Sequence, residues 1–310
     1  MEILVGQTAA RPLGLTPGAT PSAPPPVVSR LAPTPSGLLH LGNAVNFVLT
    51  WLLTRRAGGT LHLRIDDLDR ARLRPAYLDN IFRVIDWLGL DYDHGPSGPD
   101  DFLRHHSQLL HLPQYHAVLR RLAQRPGLLR ASHRARTAAS DAAPETPVPL
   151  TAPGAAWHAL VPPETCVGWP ETLFPAPPAL ALGHEMPTFV VRRKDGVPAY
   201  QVASFVDDLR MGTTLVVRGA DLRPSTAAQL WLAGQLSETA AFNPTRLQFH
   251  HHPLIVDAGG RKISKTQHAA GVLGQRREEV FAAVAALLGL PAGAGESLAA
   301  LRAAVAGPLS

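Results

Sequence analysis

Two short blocks far apart in the chain carry residues suited to chemistry: His40-Leu41-Gly42-Asn43 and Lys262-Ile263-Ser264-Lys265-Thr266. A histidine just ahead of glycine at the start of a helix lets a triphosphate approach closely, because glycine has no side chain and a helix N-terminus favours anions. Pro33, Pro35 and Gly37 shape the loop in front of it. The second block follows a Gly259-Gly260 turn. Lys262 and Lys265 therefore sit on a loop whose charge can meet the charge that develops on an α-phosphate and a departing pyrophosphate. Alone, the first block would more often be a cap and the second a solvated basic turn. Together they favour a nucleotide site assembled from both ends of one domain.

Other side chains suit a small zwitterion. Arg30 and Arg218 offer planar forks for carboxylates, and Asp66, at the end of a strand pattern, is placed to meet an ammonium group. Arg64 and Asp69 read as a surface ion pair and are left out of the candidate site. His250, His251 and His252 are consecutive, so in a strand they alternate faces and cannot share one metal. His105, His106, His111 and His116 sit in or before a helical stretch without ligand spacing, and read as packing or surface residues.

The elements that must position these residues follow from periodicity. Asn43 to Arg56 has apolar residues at helical spacing, ending in an Arg pair before Gly58-Gly59. Thr60 to Ile65 reads as a strand, and Pro75 opens a helix through Leu88. Strand, helix and strand in this order predict a βαβ unit in a parallel sheet, with ligands beyond the carboxyl ends of the strands. Residues 91–187 break the pattern, with a helical piece near Ser107 to Gln124 and a Pro- and Ala-rich stretch from Thr137 to Pro178. Regularity returns with Phe189 to Arg193, a helix near Tyr200 to Leu209, a strand Thr214 to Arg218, a helix from Pro224 to about Leu236 and a strand Leu247 to Val256. The expected division is a disordered extension (1–28), the first half of a Rossmann-type α/β domain (29–90), an inserted subdomain (91–187), the second half with the lysine loop (188–270) and a helical stub (271–310).

Composition sets outer limits. The 310 residues are 45% hydrophobic, enough for a folded core, and the net charge of +5 suits a polyanionic partner. One cysteine, Cys166, excludes an internal disulfide framework and a multi-cysteine zinc site, and fits a reducing cytoplasm. The apolar run from Ala44 to Leu53 is short of the roughly 20 residues that cross a bilayer. Neither a membrane nor DNA is expected as a partner. The N-terminal stretch lacks the h-region of a signal peptide.

From Ser29 to about Ala270 the chain resembles the catalytic core of the glutamyl-tRNA synthetase family of class I. The resemblance rests on Arg30-Leu31-Ala32-Pro33-Thr34-Pro35-Ser36-Gly37, His40 to Asn43, Arg64-Ile65-Asp66-Asp67-Leu68-Asp69, Val217-Arg218-Gly219-Ala220-Asp221-Leu222 and Lys262 to Thr266, in that order. Within the family it is most similar to the truncated glutamyl-queuosine tRNA(Asp) synthetases, with Ala220 where full-length members have glutamate. The resemblance implies a class I Rossmann-type parallel sheet with helices on both faces, split by an acceptor-binding insertion, and no anticodon-binding domain. It implies that Arg30, Thr34, Asp66, Tyr200 and Arg218 hold glutamate and that His40, Gly42, Lys262, Ser264 and Lys265 bind ATP. His40, Gly42, Asn43, Lys262 and Lys265 would then serve activation, with Mg²⁺ on the phosphates. The implied product is glutamyl-adenylate, passed to a tRNA, with queuosine at the wobble position of tRNA(Asp) the best single acceptor. Transfer to a tRNA 3′ end, a small amine or a protein is the alternative, and a non-catalytic paralogue that binds tRNA or protein is a second. Asp66 stands where the family has glutamate, which leaves glutamate against glutamine selection open. The insertion has Arg130-Ala131-Ser132-His133 and only Cys166 where many relatives have zinc-binding cysteines, so no zinc is expected.

Overall fold

A computed structural model describes residues 26–133, 147–255 and 271–306. Strand β1 (Val28–Leu31) is followed by helix α1 (Leu41–Arg56) and strand β2 (Thr60–Leu63), and the two strands pair in parallel with Arg30 opposite His62. Helix α2 (Pro75–Leu88) starts on a proline, whose missing N–H costs nothing there, and stops at Gly89 in the left-handed conformation (φ 72°). The chain then runs back along β2, where His94 bridges His62 in parallel.

A different architecture follows. A short turn, α3 (Pro99–Asp101), and α4 (Leu112–Ala123) precede β3 (Leu129–Ser132), β4 (Ala156–Leu160), the short antiparallel pair of β5 (Val167–Gly168) and β6 (Ala179–Leu180), and α5 (Leu182–Glu185). Strand β7 (Thr188–Arg192) pairs antiparallel with β4, which in turn pairs with β3. The stretch expected to reopen the parallel fold therefore completes the antiparallel sheet instead. Leu128 and Trp169 are buried here, and Leu129 and Trp157 lie half-buried against the same cluster.

Helix α6 (Tyr200–Arg210), β8 (Leu215–Gly219), α7 (Arg223–Ala233) and β9 (Gln248–His252) restore the α/β pattern, with β8 and β9 parallel and Arg218 opposite His251. Strand β9 is shorter than the sequence suggests because Pro253 has no N–H to continue the ladder. Strand β8 lies beside β1: the Thr214 amide donates to the Val28 carbonyl at 2.8 Å, and Ser29 Oγ donates to the Leu215 carbonyl at 2.9 Å. The strands thus run β2, β1, β8, β9. From β1 the chain first builds outward on one side, then returns to build on the other. Ligands sit in the crevice that this reversal leaves at the carboxyl ends of the strands.

Both faces of this sheet are covered. Leu215 and Val217 of β8 point into a core with α1, α2 and α8 (Arg277–Leu287), while Val216 points into a second core with α6, α7 and Phe249. The C-terminal stretch, expected as one helical stub, is two helices, α8 and α9 (Leu298–Ala304). They are separated by a turn at Gly289 (φ 64°) and Pro291, which ends any continuous helix. No helix among the described residues is long and apolar enough to cross a membrane.

Candidate active site

A cavity of about 490 Å³ opens at the carboxyl ends of β1, β2, β8 and β9. His40 is the N-cap of α1, in extended conformation, and its amide donates to Asn43 Oδ1 at 3.1 Å, so Asn43 helps to close the first turn. No acidic residue occupies that turn. The positive end of the helix therefore faces the cavity uncompensated by its own side chains. A Cβ on Gly42 would lie 3.2 Å from both Cε1 and Nδ1 of His40, so a side chain there would crowd the imidazole at the helix terminus. The loop before His40 is tied to α2, whose buried Asn80 accepts a hydrogen bond from the Leu39 amide at 2.8 Å.

Across the cavity lies a buried charge cluster. Asp208, with no exposed surface, accepts from Arg30 Nε at 2.8 Å and Arg64 Nη1 at 2.6 Å, and its other oxygen is 3.9 Å from Arg218 Nη2. Arg64 also grips both oxygens of Asp66, at 2.7 and 3.2 Å. Arg218 Nη1 is fully engaged, donating to Thr226 Oγ1 at 3.0 Å and Gln229 Oε1 at 2.8 Å. Its Nη2 has no hydrogen-bond partner among the described residues. Burial works to raise the Asp208 carboxyl, but the guanidinium groups of Arg30, Arg64 and Arg218 outweigh it and hold the group below the ordinary carboxylate range. Burial pushes Arg218 below the usual arginine value. Three guanidinium groups meet the carboxylates of Asp66 and Asp208 here, and Arg72 and Asp221 also line the cavity.

Arg30, Thr34, His40, Gly42, Asn43, Asp66, Tyr200 and Arg218, singled out from the sequence, all line this one cavity. Lys262, Ser264 and Lys265 fall outside the described residues. Arg64 requires a correction: it is not in a surface ion pair with Asp69 but is 5% exposed and lines the cavity, while Asp69 lies nearest Arg72 and Arg193. Asp66 is not free to meet an ammonium group alone, because Arg64 already holds it. Asp208, Asn80, Thr226 and Gln229 were missed. The available signal for Asp208 was a pair of carboxylates, Asp207-Asp208, on a helix whose neighbours are mostly apolar. His250, His251 and His252 are all buried; His252 lines the cavity, while His251 stacks on Phe249 with ring centroids 6.4 Å apart. Among the described residues no three His, Cys, Asp or Glu side chains meet as a metal cage. Cys166 is exposed, and Ser132 and His133 lie at the end of β3.

The model of class I tRNA synthetases (E and Q), catalytic domain, matches residues 26–125 and 181–290. A protein of Nitratidesulfovibrio vulgaris named glutamyl-Q tRNA(Asp) synthetase is 36% identical over 278 residues, covering 82% of each chain. One of the same name from Geobacter sulfurreducens is 36% identical over 275 residues, covering 83% of this chain and 81% of its own. The crystal structure of the glutamate-tRNA synthetase of Elizabethkingia anophelis superposes with a TM-score of 0.63 at 21% identity, covering 78% of this chain and 53% of that one. The fold is shared, and this chain spans about half the length of that enzyme.

Proposed function

This chain belongs to the class I tRNA synthetases of the E and Q branch, and from that premise we propose that it activates glutamate with ATP and passes the glutamyl group to queuosine at the wobble position of tRNA(Asp). The observation that carries the glutamate half is the buried arginine cluster, whose three guanidinium groups include an Arg218 Nη2 without a hydrogen-bond partner among the described residues and suit a carboxylate ligand. The helix terminus at His40 and Gly42 faces the same cavity and suits the phosphates of the nucleotide. In the first step the α-carboxylate of glutamate attacks the α-phosphate of ATP, the bond to the bridging oxygen breaks and pyrophosphate leaves. In the second a hydroxyl of the acceptor attacks the acyl carbon and AMP leaves. Arg30 and Arg218 would hold glutamate, and Thr34, Tyr200 and Asp66 would complete its pocket. Lys262, Ser264 and Lys265 would meet the charge on the phosphates. Catalysis is then positioning and charge stabilisation, with no covalent nucleophile on the protein.

Mg²⁺ would enter with ATP. Held there by phosphate oxygens and water, the ion would neutralise phosphate charge.

The queuosine half is supported by the name of the relatives that match along four fifths of the chain. The test is charging of total tRNA with labelled glutamate, using tRNA with and without queuosine. Label confined to queuosine-containing tRNA and resistant to cleavage of the terminal ribose is the expected result. Equal labelling of queuosine-free tRNA would transfer the assignment to the 3′ end, and the absence of any labelling alongside tight tRNA binding would favour a binding paralogue.

A further inference from the structure

Behind Arg218 a buried hydrogen-bonded series runs away from the cavity into the insertion. Arg218 Nη1 donates to Thr226 Oγ1 at 3.0 Å, and Thr226 Oγ1 lies 2.8 Å from His251 Nε2. His251 Nδ1 contacts Glu171 Oε1, and the His251 amide donates to Glu171 Oε2 at 3.1 Å. Glu171 also accepts from Trp169 Nε1 at 3.0 Å and Arg223 Nη1 at 2.5 Å, and its side chain is 1% exposed. It comes from the stretch between β5 and β6, within residues that the family model leaves unmatched.

The donors and acceptors fit in only one direction when the imidazole is neutral. An anionic Glu171 can only accept, so His251 carries its proton on Nδ1 and presents a bare Nε2. The Thr226 hydroxyl then donates to Nε2, which leaves its lone pairs for Arg218. Burial pushes the His251 imidazole down; Glu171 opposes this, and Arg218 and Arg223 add to it. Gln229 takes the second proton of Nη1, so the planar guanidinium is fixed with Nη2 3.9 Å from the Asp208 carboxylate and without a hydrogen-bond partner among the described residues.

We propose that Glu171, acting through His251 and Thr226, is a positioning residue for Arg218, so that the insertion sets the geometry of the carboxylate-binding fork. The inference rests on the proposed glutamate reading for its kinetic consequence, though not for its geometry. Thr226→Val keeps the shape of the residue and removes the link, Thr226→Ser keeps the link, and Glu171→Gln removes the charge that fixes the tautomer.

The test is ATP–pyrophosphate exchange with these variants and the Glu171→Gln/Thr226→Val double variant. KM for glutamate should rise by about tenfold in each of Thr226→Val and Glu171→Gln, the loss of one charge-assisted hydrogen bond. KM for ATP and kcat should stay within about twofold of wild type, Thr226→Ser should restore the glutamate KM, and the double variant should be no worse than the weaker single one. Independent multiplication of the two effects, or a fall in kcat with KM unchanged, would overturn the proposal. Nitrogen NMR of labelled protein decides the geometry without activity: Arg218 should rotate slowly about its Nε–Cζ bond in wild type and faster in Thr226→Val. Equal rotation in both would also overturn it. A wild-type protein that exchanges with no amino acid but shows the slow Arg218 would sink the activity reading and leave the relay standing.

Discussion

Asp208 shows how much one side chain can carry. It faces three guanidinium groups with no exposed surface, so Asp208→Asn leaves buried positive charge uncompensated. Breaking a buried pair in this way costs about 3–5 kcal/mol, which urea denaturation at neutral pH should show. The sign with pH follows from its depressed folded pKa: the contribution is present in full above the ordinary carboxylate value and is lost as pH falls through the folded one. The gap in stability between wild type and Asp208→Asn should therefore close below about pH 4. A gap that stays constant down to the acid limit would contradict the assignment. Gly42→Ala makes the opposite kind of test. Alanine is better than glycine inside a helix by about 1 kcal/mol, so the melting temperature should hold or rise. The new Cβ crowds His40, so exchange activity should fall in the same protein. Loss of fold and activity together would show that Gly42 serves only the backbone.

At the scale of elements, α2 matters because Asn80 holds the loop that delivers His40. Asn80→Leu leaves the buried Leu39 amide unpaired, at a cost of about 1–3 kcal/mol, and should reduce exchange beyond what the lost stability explains. Denaturation and exchange on one preparation check this, and an unaltered activity would place the control of the loop elsewhere. Helix α2 itself was legible from the sequence to its last residue, because a proline opens it and a left-handed glycine closes it. Arg64 was not. Leu61, Leu63 and Ile65 alternate into the core, so Arg64 must face the other side, but the chain alone does not say what lies there. The cover is α6, whose Ser204 and Asp208 take the guanidinium, more than a hundred residues away in sequence. Strand β7 was misplaced for a similar reason: a half-buried strand of five residues looks the same in either sheet, and only its pairing with β4 decides.

For the whole molecule, the order β2, β1, β8, β9 explains why segments so distant in sequence line one cavity. Each contributes the carboxyl end of a strand, and the reversal at β1 leaves room between them. Those of the residues named by resemblance that are described line the cavity because motif residues sit at strand and helix ends, where backbone geometry, not packing detail, fixes their place. The second layer of the site, Asp208, Thr226 and Glu171, depends on tertiary packing that no local pattern encodes. On the proposed role of Lys265 at the phosphates, Lys265→Ala removes a charge that matters most in the transition state, so turnover in activation should drop by roughly 10²-fold or more while glutamate binding survives. Near-normal turnover would remove the lysine block from the mechanism. The central claim, that the arginine-lined cavity activates glutamate, is tested most directly by ATP–pyrophosphate exchange with the purified protein and no tRNA, run with each candidate amino acid. Exchange with glutamate that clearly exceeds exchange with glutamine is the expected result; equal or faster exchange with glutamine, or none with any amino acid, would contradict it.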